Sequence, residues 1–247
     1  MNFTILRFET IGSTNDEALR QAKSGAPEGL CIVAEKQTQG RGRYGRVWHS
    51  PKGAGLYFSI VLRPKIETRF LPLITLMIGV AVHDTLVQTF SLDCDIKWAN
   101  DIHVRDKKIC GILAETCESD FGLAVVVGIG INLKSTNFPH ELNEIATSVE
   151  AETGEAPDVE ILLNGLTKNL LSNYQILQST NGAEMIRQDW MKRSSYSFGK
   201  SVKVSLANET FTGVTQGIET DGALRLETKT GEIKIVRAGT VEKLRQI

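Results

Sequence analysis

No two of the four cysteines, Cys31, Cys94, Cys110 and Cys117, stand close enough to form a CxxC pair. That excludes zinc-ligand spacing and argues against a disulfide framework, so reduced, buried thiols in a cytoplasmic setting are expected. No sign of charge dominates. The 28 Lys and Arg against 29 Asp and Glu leave a net charge of −1, which excludes a chain-wide basic field for nucleic acid or anionic lipid. No apolar run is long enough to span a bilayer: the charge-free stretch 70–82 has 13 residues, against about 20 needed. The N-terminus, MNFTILRFET, lacks the charged lead, apolar run and cleavage site of a secretory signal. Internal repeats, low-complexity tracts and charge blocks are absent as well. What remains is ordinary globular composition, 41% hydrophobic and 23% charged over 247 residues. That length suits one large domain plus a small one, with a core that needs no metal or disulfide.

The patterning divides the chain in two. Residues 14–24 predict a first helix. Thr14 with Glu17 three residues on forms a capping box, Ala18, Leu19 and Ala22 give an apolar face, and Gly25 and Pro27 end it. A short strand over 30–35 leads into a polar, glycine-rich loop over 37–55, whose length inside a compact domain marks it as functional or mobile. A buried strand over 56–62, stopped by Pro64, precedes a long buried helix over 71–90. From 96 to 133 the pattern is strand-rich: DIKW, DIHV, KICGILAE and LAVVVGIGINL. The apolar run 123–127 predicts a central strand covered on both faces. Residues 159–177 are helical, with Val159, Leu162, Leu163, Leu166 and Leu170 on one face, and 184–192 form another short helix.

After Ser194 the period becomes two. Val202, Val204 and Leu206 alternate, as do Leu224 and Leu226, then Ile233 and Ile235. Asn208, Asp221-Gly222 and Thr230-Gly231 are turn signals between them. Short strands with tight turns predict a small β-barrel. The boundary falls at Ser194-Ser195, giving domains over 1–194 and 195–247.

The most informative segment is Gly40-Arg41-Gly42-Arg43-Tyr44-Gly45-Arg46-Val47-Trp48. It satisfies G-x-G-x-x-G after a strand, and Glu67 lies where a dinucleotide fingerprint wants an acid. The context fails, because such a loop opens directly into a helix holding the pyrophosphate. Here Val47-Trp48-His49-Ser50-Pro51-Lys52-Gly53 follows and the next element is a strand. The chemistry is still clear. Glycines let backbone approach a ligand, and arginine forks bind phosphate or carboxylate oxygens bidentately. With no acid in the stretch, the arginines repel one another, and the loop is expected to be poorly ordered until an anion arrives. Trp48 offers a flat face for a ring. A solvated basic loop with an ordinary core tryptophan is the bland alternative.

Further on, Lys97-Trp98-Ala99-Asn100-Asp101 follows a strand, and Lys108-Ile109-Cys110-Gly111-Ile112-Leu113 begins the next. Together they put two ammoniums, an amide and a carboxylate at the ends of neighbouring strands. Taken singly, Asn100-Asp101 reads as a hairpin turn, Lys97 as a strand-edge charge and Lys108 as a solvated lysine. The glycines of Gly128-Ile129-Gly130-Ile131-Asn132 fit close approach by a ligand or another backbone, or a bulge.

GRGRYGRVW, KWAND with KICGIL seven residues later, and GIGIN, in that order, resemble a biotin protein ligase. Gly12-Ser13-Thr14-Asn15 matches that family's S-T-N segment, and Gln37 its biotin-contacting glutamine. The resemblance runs from Phe8 to the C-terminus. It implies an α+β fold: a mixed sheet with helices similar to class II aminoacyl-tRNA synthetases, followed by a small SH3-like barrel. The implied activity uses ATP and biotin as substrates, with Mg2+ accompanying ATP, to form biotinyl-5′-AMP. Biotin then passes to a lysine of a biotin carboxyl carrier domain.

By motif position, the resemblance assigns biotin's ureido ring to Ser13, Thr14 and Gln37, with Asn15 beside them. Hydroxyls and an amide suit a neutral urea. Gly40, Arg41, Gly42 and Arg43 would cradle the carboxylate and α-phosphate, with Arg46 on the ATP side and Trp48 on the adenine. Lys108, preferred to Lys107 because it stands three residues before Gly111, would bridge the two anions and stabilise charge moving onto the phosphate. Asn100 and Asp101 would line the nucleotide side. For Asp101 the alternatives of orienting or deprotonating the acceptor lysine, or of contacting Mg2+, stay open. Lys108, Arg43 and Asp101 are thus the implied catalytic residues. Gly111, Gly128 and Asn132 would form the pocket floor and nucleotide wall. Closure of the loop over the adenylate would exclude water.

Ala99 stands where the family usually has proline, which removes a fixed φ but no functional group. Only 12 residues precede Ser13, too few for the helix-turn-helix domain of some members, so no DNA partner and no membrane are expected. A sheet edge of this family can pair into a homodimer. The alternatives are a lipoate-protein ligase or octanoyltransferase, a biotin- or nucleotide-binding sensor without chemistry, and a plain interaction protein. The tight G-R-G-R-x-G-R-x-W loop favours the first reading, as does the presence of both Lys108 and Asp101.

Overall fold

The computed structural model describes residues 1–135, 138–206 and 209–243. The larger sheet contains β1 (Thr4–Phe8), β2 (Leu30–Ala34), β3 (Gly55–Leu62), β4 (Cys94–Lys97), β5 (Asp101–Val104), β6 (Lys107–Cys117) and β7 (Ala124–Asn132). Its strand order is β1-β2-β3-β7-β6-β5-β4. The sheet is mixed: β1 runs parallel to β2 and every other pairing is antiparallel. As the apolar run predicts, β7 is the central strand, with Ala124, Val125, Val126 and Val127 all buried.

The two faces of β7 follow its period of two. Val125, Val127, Ile129 and Ile131 join the main core beneath α2 (Leu73–Phe90) and α4 (Val159–Leu177). Ala124 and Val126 face the other way, into a smaller core with Ala18 and Ala22 of α1 (Thr14–Lys23). Continuing that second face along β7 reaches Gly128 and Gly130, which carry no side chain to cover it. The alternation Gly-Ile-Gly-Ile therefore buries isoleucine on one side and leaves a depression on the other.

The N-terminus of α1 differs from the expected capping box. Ser13, with extended backbone at φ −149° and ψ 134°, is the cap, and its Oγ accepts from the Asp16 N–H. Thr14 is already the first helical residue, so its side chain is free of capping. The apolar helix α2 is long and apolar enough by composition to cross a bilayer, but its surface is packed against the sheet and α4. Leu162, Leu163, Leu166 and Leu170 of α4 supply the other side of that interface. Burying each contributes roughly 1.5–3 kcal/mol relative to exposure. The helices α3 (Val149–Thr153) and α5 (Gly182–Lys192) complete this layer.

Beyond α5 lies a second, antiparallel sheet of β8 (Phe198–Ser205), β9 (Thr210–Ile218), β10 (Leu224–Glu227), β11 (Ile233–Val236) and β12 (Thr240–Lys243). Its order is β11-β10-β9-β8-β12. The period-two pattern marks β8, β10 and β11, whereas β1, β9 and β12 carry no comparable sequence signal. The turn expected at Asn208 lies outside the described residues. The junction between α5 and β8 is pinned to β4. Ser194 Oγ donates to the Ile96 carbonyl at 2.5 Å, and Ser195 donates from N and Oγ to the Asp95 carboxylate at 2.7 and 2.6 Å. The indole of Trp98 donates to the Gly222 carbonyl at 3.0 Å, joining the two sheets again.

All four cysteines are free thiols. Burial pushes Cys31 up to about 12, and burial with nearby carboxylates does the same for Cys94, so neither is a thiolate near neutral pH.

Candidate active site

The depression over Gly128 and Gly130 opens into a cleft between α1, the glycine-arginine loop and the ends of β3, β6 and β7. Of the residues singled out in the sequence, Ser13, Thr14, Asn15 and Gln37 line one end. Arg41, Gly42, Arg43 and Trp48 come from the loop, and Asn100, Lys108, Gly111 and Gly128 from the sheet. Gly40, Arg46, Asp101 and Asn132 are not on this lining.

At the α1 end the polar groups are fully knitted. Gln37 Oε1 accepts from Thr14 N–H at 2.8 Å and from Thr14 Oγ1 at 3.1 Å, while its Nε2 donates to Ser50 Oγ at 2.9 Å. Ser59 Oγ, on β3, lies 2.8 Å from Thr14 Oγ1 and 2.7 Å from Asn15 Oδ1, its single proton serving one of the two. Asn15 in turn donates to Glu115 Oε2 at 2.8 Å and to the Leu113 carbonyl at 3.2 Å. A rigid row of hydroxyl and amide groups results.

The loop itself is closed by its own backbone. Trp48 N–H donates to the Gly40 carbonyl at 2.9 Å, and Gly42 N–H to the Arg46 carbonyl at 2.7 Å. A Cβ at Gly40 would stand 2.4 Å from the Trp48 carbonyl, so only glycine permits this closure. The loop holds no acid of its own, as the sequence shows, but Arg41 finds two carboxylates from elsewhere in the chain. Arg41 is bidentate on Glu115, at 3.0 Å from each guanidinium arm, and reaches Asp16 at 2.5 Å. Those carboxylates come from α1 and β6, beyond the reach of a local reading. Arg43 donates to Asn100 Oδ1 at 2.9 Å, and Arg46 is exposed outside the cleft.

The glycines of β6 and β7 make room for side chains. A Cβ on Gly128 would meet the Asn15 carboxamide at 2.3 Å. One on Gly130 would meet the Trp48 indole at 2.5 Å, and one on Gly111 the same ring at 2.9 Å. The β6–β7 register runs without a shift from Cys110↔Ile131 to Cys117↔Ala124, which excludes a bulge. Trp48 thus lies flat on a two-glycine floor, and its buried indole Nε1 has no hydrogen-bond partner among the described residues.

Lys108 projects from β6 with Nζ 5.4 Å from the Trp48 ring centroid and 2.7 Å from Asp101 Oδ1. Its main chain is fixed as well: its N–H donates to the Ile145 carbonyl at 2.9 Å, and its carbonyl accepts from Thr147 N–H at 2.9 Å. Asn132, expected on the nucleotide wall, braces this arrangement by donating to the Thr147 carbonyl at 3.0 Å and the Lys108 carbonyl at 3.4 Å. Lys97, at the end of edge strand β4, is half-buried, and burial pushes its pKa down. His103, paired with Lys108 in the β5–β6 register, is held neutral: burial first, and the Lys97 ammonium second, lower it to about 4.

The chain that builds this site is similar to known proteins. The profile of the biotin/lipoate A/B protein ligase family covers residues 8–132. The chain belongs to this family. The profile of the biotin protein ligase C-terminal domain covers 197–244, the region of the second sheet. The bifunctional ligase/repressor BirA of Bacillus spizizenii is 39% identical over 233 residues, covering 93% of this chain and 71% of that protein. The biotin–[acetyl-CoA-carboxylase] ligase of Mycobacterium tuberculosis is 32% identical over 240 residues, 95% of this chain and 86% of that one. The solved biotin protein ligase of Aquifex aeolicus in complex with biotin and ATP superposes with a TM-score of 0.84 at 29% identity, covering 98% and 99% of the two chains.

Only part of the site's geometry has a signal in the sequence. Glu115, Asp16 and Ser59 carry much of its geometry without a sequence signal of their own, whereas Gly130 belongs to the GIGIN glycines read as clearance for a close approach. Glu115 lies on the face of Gly111, four residues past it, in a strand that reads as half-exposed.

Proposed function

We propose that this chain is an ATP-dependent ligase that attaches biotin to a lysine of a biotin carboxyl carrier domain. The biotin carboxylate attacks the α-phosphorus of ATP, giving biotinyl-5′-AMP and pyrophosphate. The acceptor amine then attacks the acyl carbon, releasing AMP and the amine proton and forming the amide. The observation that carries the reading is the position of Lys108. It lines the same cleft as the hydrogen-bonding row of Thr14 and Gln37 and the Arg43 guanidinium, where a neutral head group and two anions would meet.

Ser13, Thr14, Asn15 and Gln37 then take the ureido ring. Gly40, Arg41, Gly42 and Arg43 take the carboxylate and α-phosphate, with Gly111 and Gly128 beneath. Trp48 faces the nucleotide, and its orphaned indole N–H is the donor left for a ligand acceptor. Asn100, Arg46 and Asn132 belong to the ATP side, Asn132 by holding Lys108. Lys108 stabilises the charge that builds on the phosphate in a site closed by the loop. Asp101 holds Lys108 and, in this reading, receives the proton of the acceptor lysine. Among the described residues no group of three His, Cys, Asp or Glu could hold a metal ion. In this reading Mg2+ comes with ATP as part of the substrate.

Residues 1–194 form the catalytic domain and 195–247 the SH3-like one in this reading, which also includes a cytoplasmic setting, homodimer pairing through a sheet edge and no DNA partner. The test is incubation with biotin, ATP, Mg2+ and a carrier domain, read by mass. One biotinyl group on one carrier lysine is expected. Acylation by lipoate and not by biotin would overturn the assignment.

A further inference from the structure

Tyr44 adopts a left-handed backbone, φ 57° and ψ 35°, that a tyrosine seldom takes. The residue is 62% exposed, so burial does not hold it there. Its hydroxyl does. The Tyr44 oxygen accepts from Arg43 Nη2 at 2.9 Å and from the Gly239 backbone N–H, in the turn before β12, at 2.8 Å. A phenolic oxygen has two acceptor lone pairs, and these donors use both. The Arg43 guanidinium also lies 4.9 Å from the Tyr44 ring centroid.

The other arm of Arg43 donates to Asn100, and Asn100 is doubly bonded to Ile112: Ile112 N–H to its carbonyl at 2.9 Å, and its Nδ2 to the Ile112 carbonyl at 3.0 Å. Arg43 is therefore clamped between the large sheet and, through one hydroxyl, the second sheet. It also lines both the cleft described above and an adjoining open groove walled by Trp98, Leu76, Gly222 and Arg237.

We infer that Tyr44 is a positioning residue: its hydroxyl latches the glycine-arginine loop to the Gly239 turn and so sets the Arg43 guanidinium for the nucleotide. The C-terminal sheet thereby takes part in the nucleotide site through a main-chain N–H, without lending a side chain. The contact stands on geometry alone. Its catalytic consequence rests on the ligase reading proposed above.

The test uses the full chain and the variant Tyr44→Phe, which keeps the ring and removes the hydroxyl. Loss of one hydrogen bond to a charged group predicts about a tenfold rise in KM for ATP, with kcat and the Kd for biotin within twofold of the wild type. In an Arg43→Ala background, Tyr44→Phe should leave the Kd for a non-hydrolysable ATP analogue unchanged, because Tyr44 acts through Arg43. A wild-type KM for ATP in Tyr44→Phe overturns the inference, and so does an undiminished loss in the Arg43→Ala background. A second readout needs no activity. Tryptic cleavage at Arg41, Arg43 and Arg46 should be several-fold faster in Tyr44→Phe than in wild type, and equal rates contradict the latch. Faster cleavage in a protein that makes no adenylate would keep the latch and discard the ligase reading.

Discussion

The Lys108 ammonium and the Asp101 carboxylate meet at 2.7 Å across the β5–β6 ladder, with side chains 30% and 23% exposed. An ammonium has three donors. The contact with Asp101 is an ion pair without hydrogen-bond geometry, so it holds the ammonium in place and leaves its donors for the two anions of the first half-reaction.

Lys108→Ala should lower the rate of biotinyl-adenylate formation by about 100- to 1000-fold, the usual loss when a fixed charge-stabilising donor is removed. The ion pair is partly solvated, so its loss costs at most about 1 kcal/mol of stability. The melting temperature should move by no more than about 4 °C. A single-turnover assay beside a thermal melt checks both, and a wild-type rate would remove Lys108 from its role.

Glu115 holds Asn15 and both arms of Arg41. Glu115→Gln keeps the volume but weakens a bidentate, charge-assisted contact to roughly a neutral one. The expected result is a five- to twentyfold rise in the Kd for biotin, measured by calorimetry, because two cleft-lining side chains lose their common anchor. An unchanged Kd would show that Asn15 and Arg41 hold their places without it.

Gly130→Ala should destabilise the fold by about 1–3 kcal/mol through overpacking, since the new methyl would stand 2.5 Å from the Trp48 indole. In a Trp48→Ala background the same substitution should cost less than about 0.5 kcal/mol, because the obstacle is gone. Urea denaturation of the four proteins in this cycle reads the coupling. Additive effects would mean that Trp48 does not rest on this glycine.

His103 is 8% exposed and its pKa is lowered to about 4, mainly by burial. An unfolded histidine titrates near 6.5. Between these values the unfolded chain binds the extra proton, so stability rises with pH and is lost as pH falls from about 6.5 towards 4. Between pH 6.5 and 5 the expected loss is about 2 kcal/mol. His103→Gln should flatten this part of the profile in urea melts at the two pH values, whereas an equal slope in variant and wild type would assign it to other groups.

Much of this architecture was legible because it rests on local period. The leucines of α4 and the valines of β7 bury one stripe and one strand, and both elements sit where those patterns place them. What stayed hidden depends on contacts between distant residues. Ser13, Thr14 and Asn15 are all good caps, and only the packing of Thr14 against Gln37 and Ser59 decides that Ser13 takes the cap. The acids that neutralise Arg41 lie 25 residues before it and 74 after it. The strand β9, TFTGVTQGI, mixes glycine with polar residues and pairs only because β8 and β10 flank it. The glycines flagged as ligand clearance turn out to clear Trp48 and Asn15, which no spacing rule connects to them.

The most direct measurement is isotope exchange between pyrophosphate and ATP, with no acceptor domain present. Reversible adenylation of biotin predicts exchange that requires biotin and Mg2+ and disappears in Lys108→Ala. Exchange that ignores biotin, or none from folded wild-type protein at saturating biotin and ATP, would contradict the central claim.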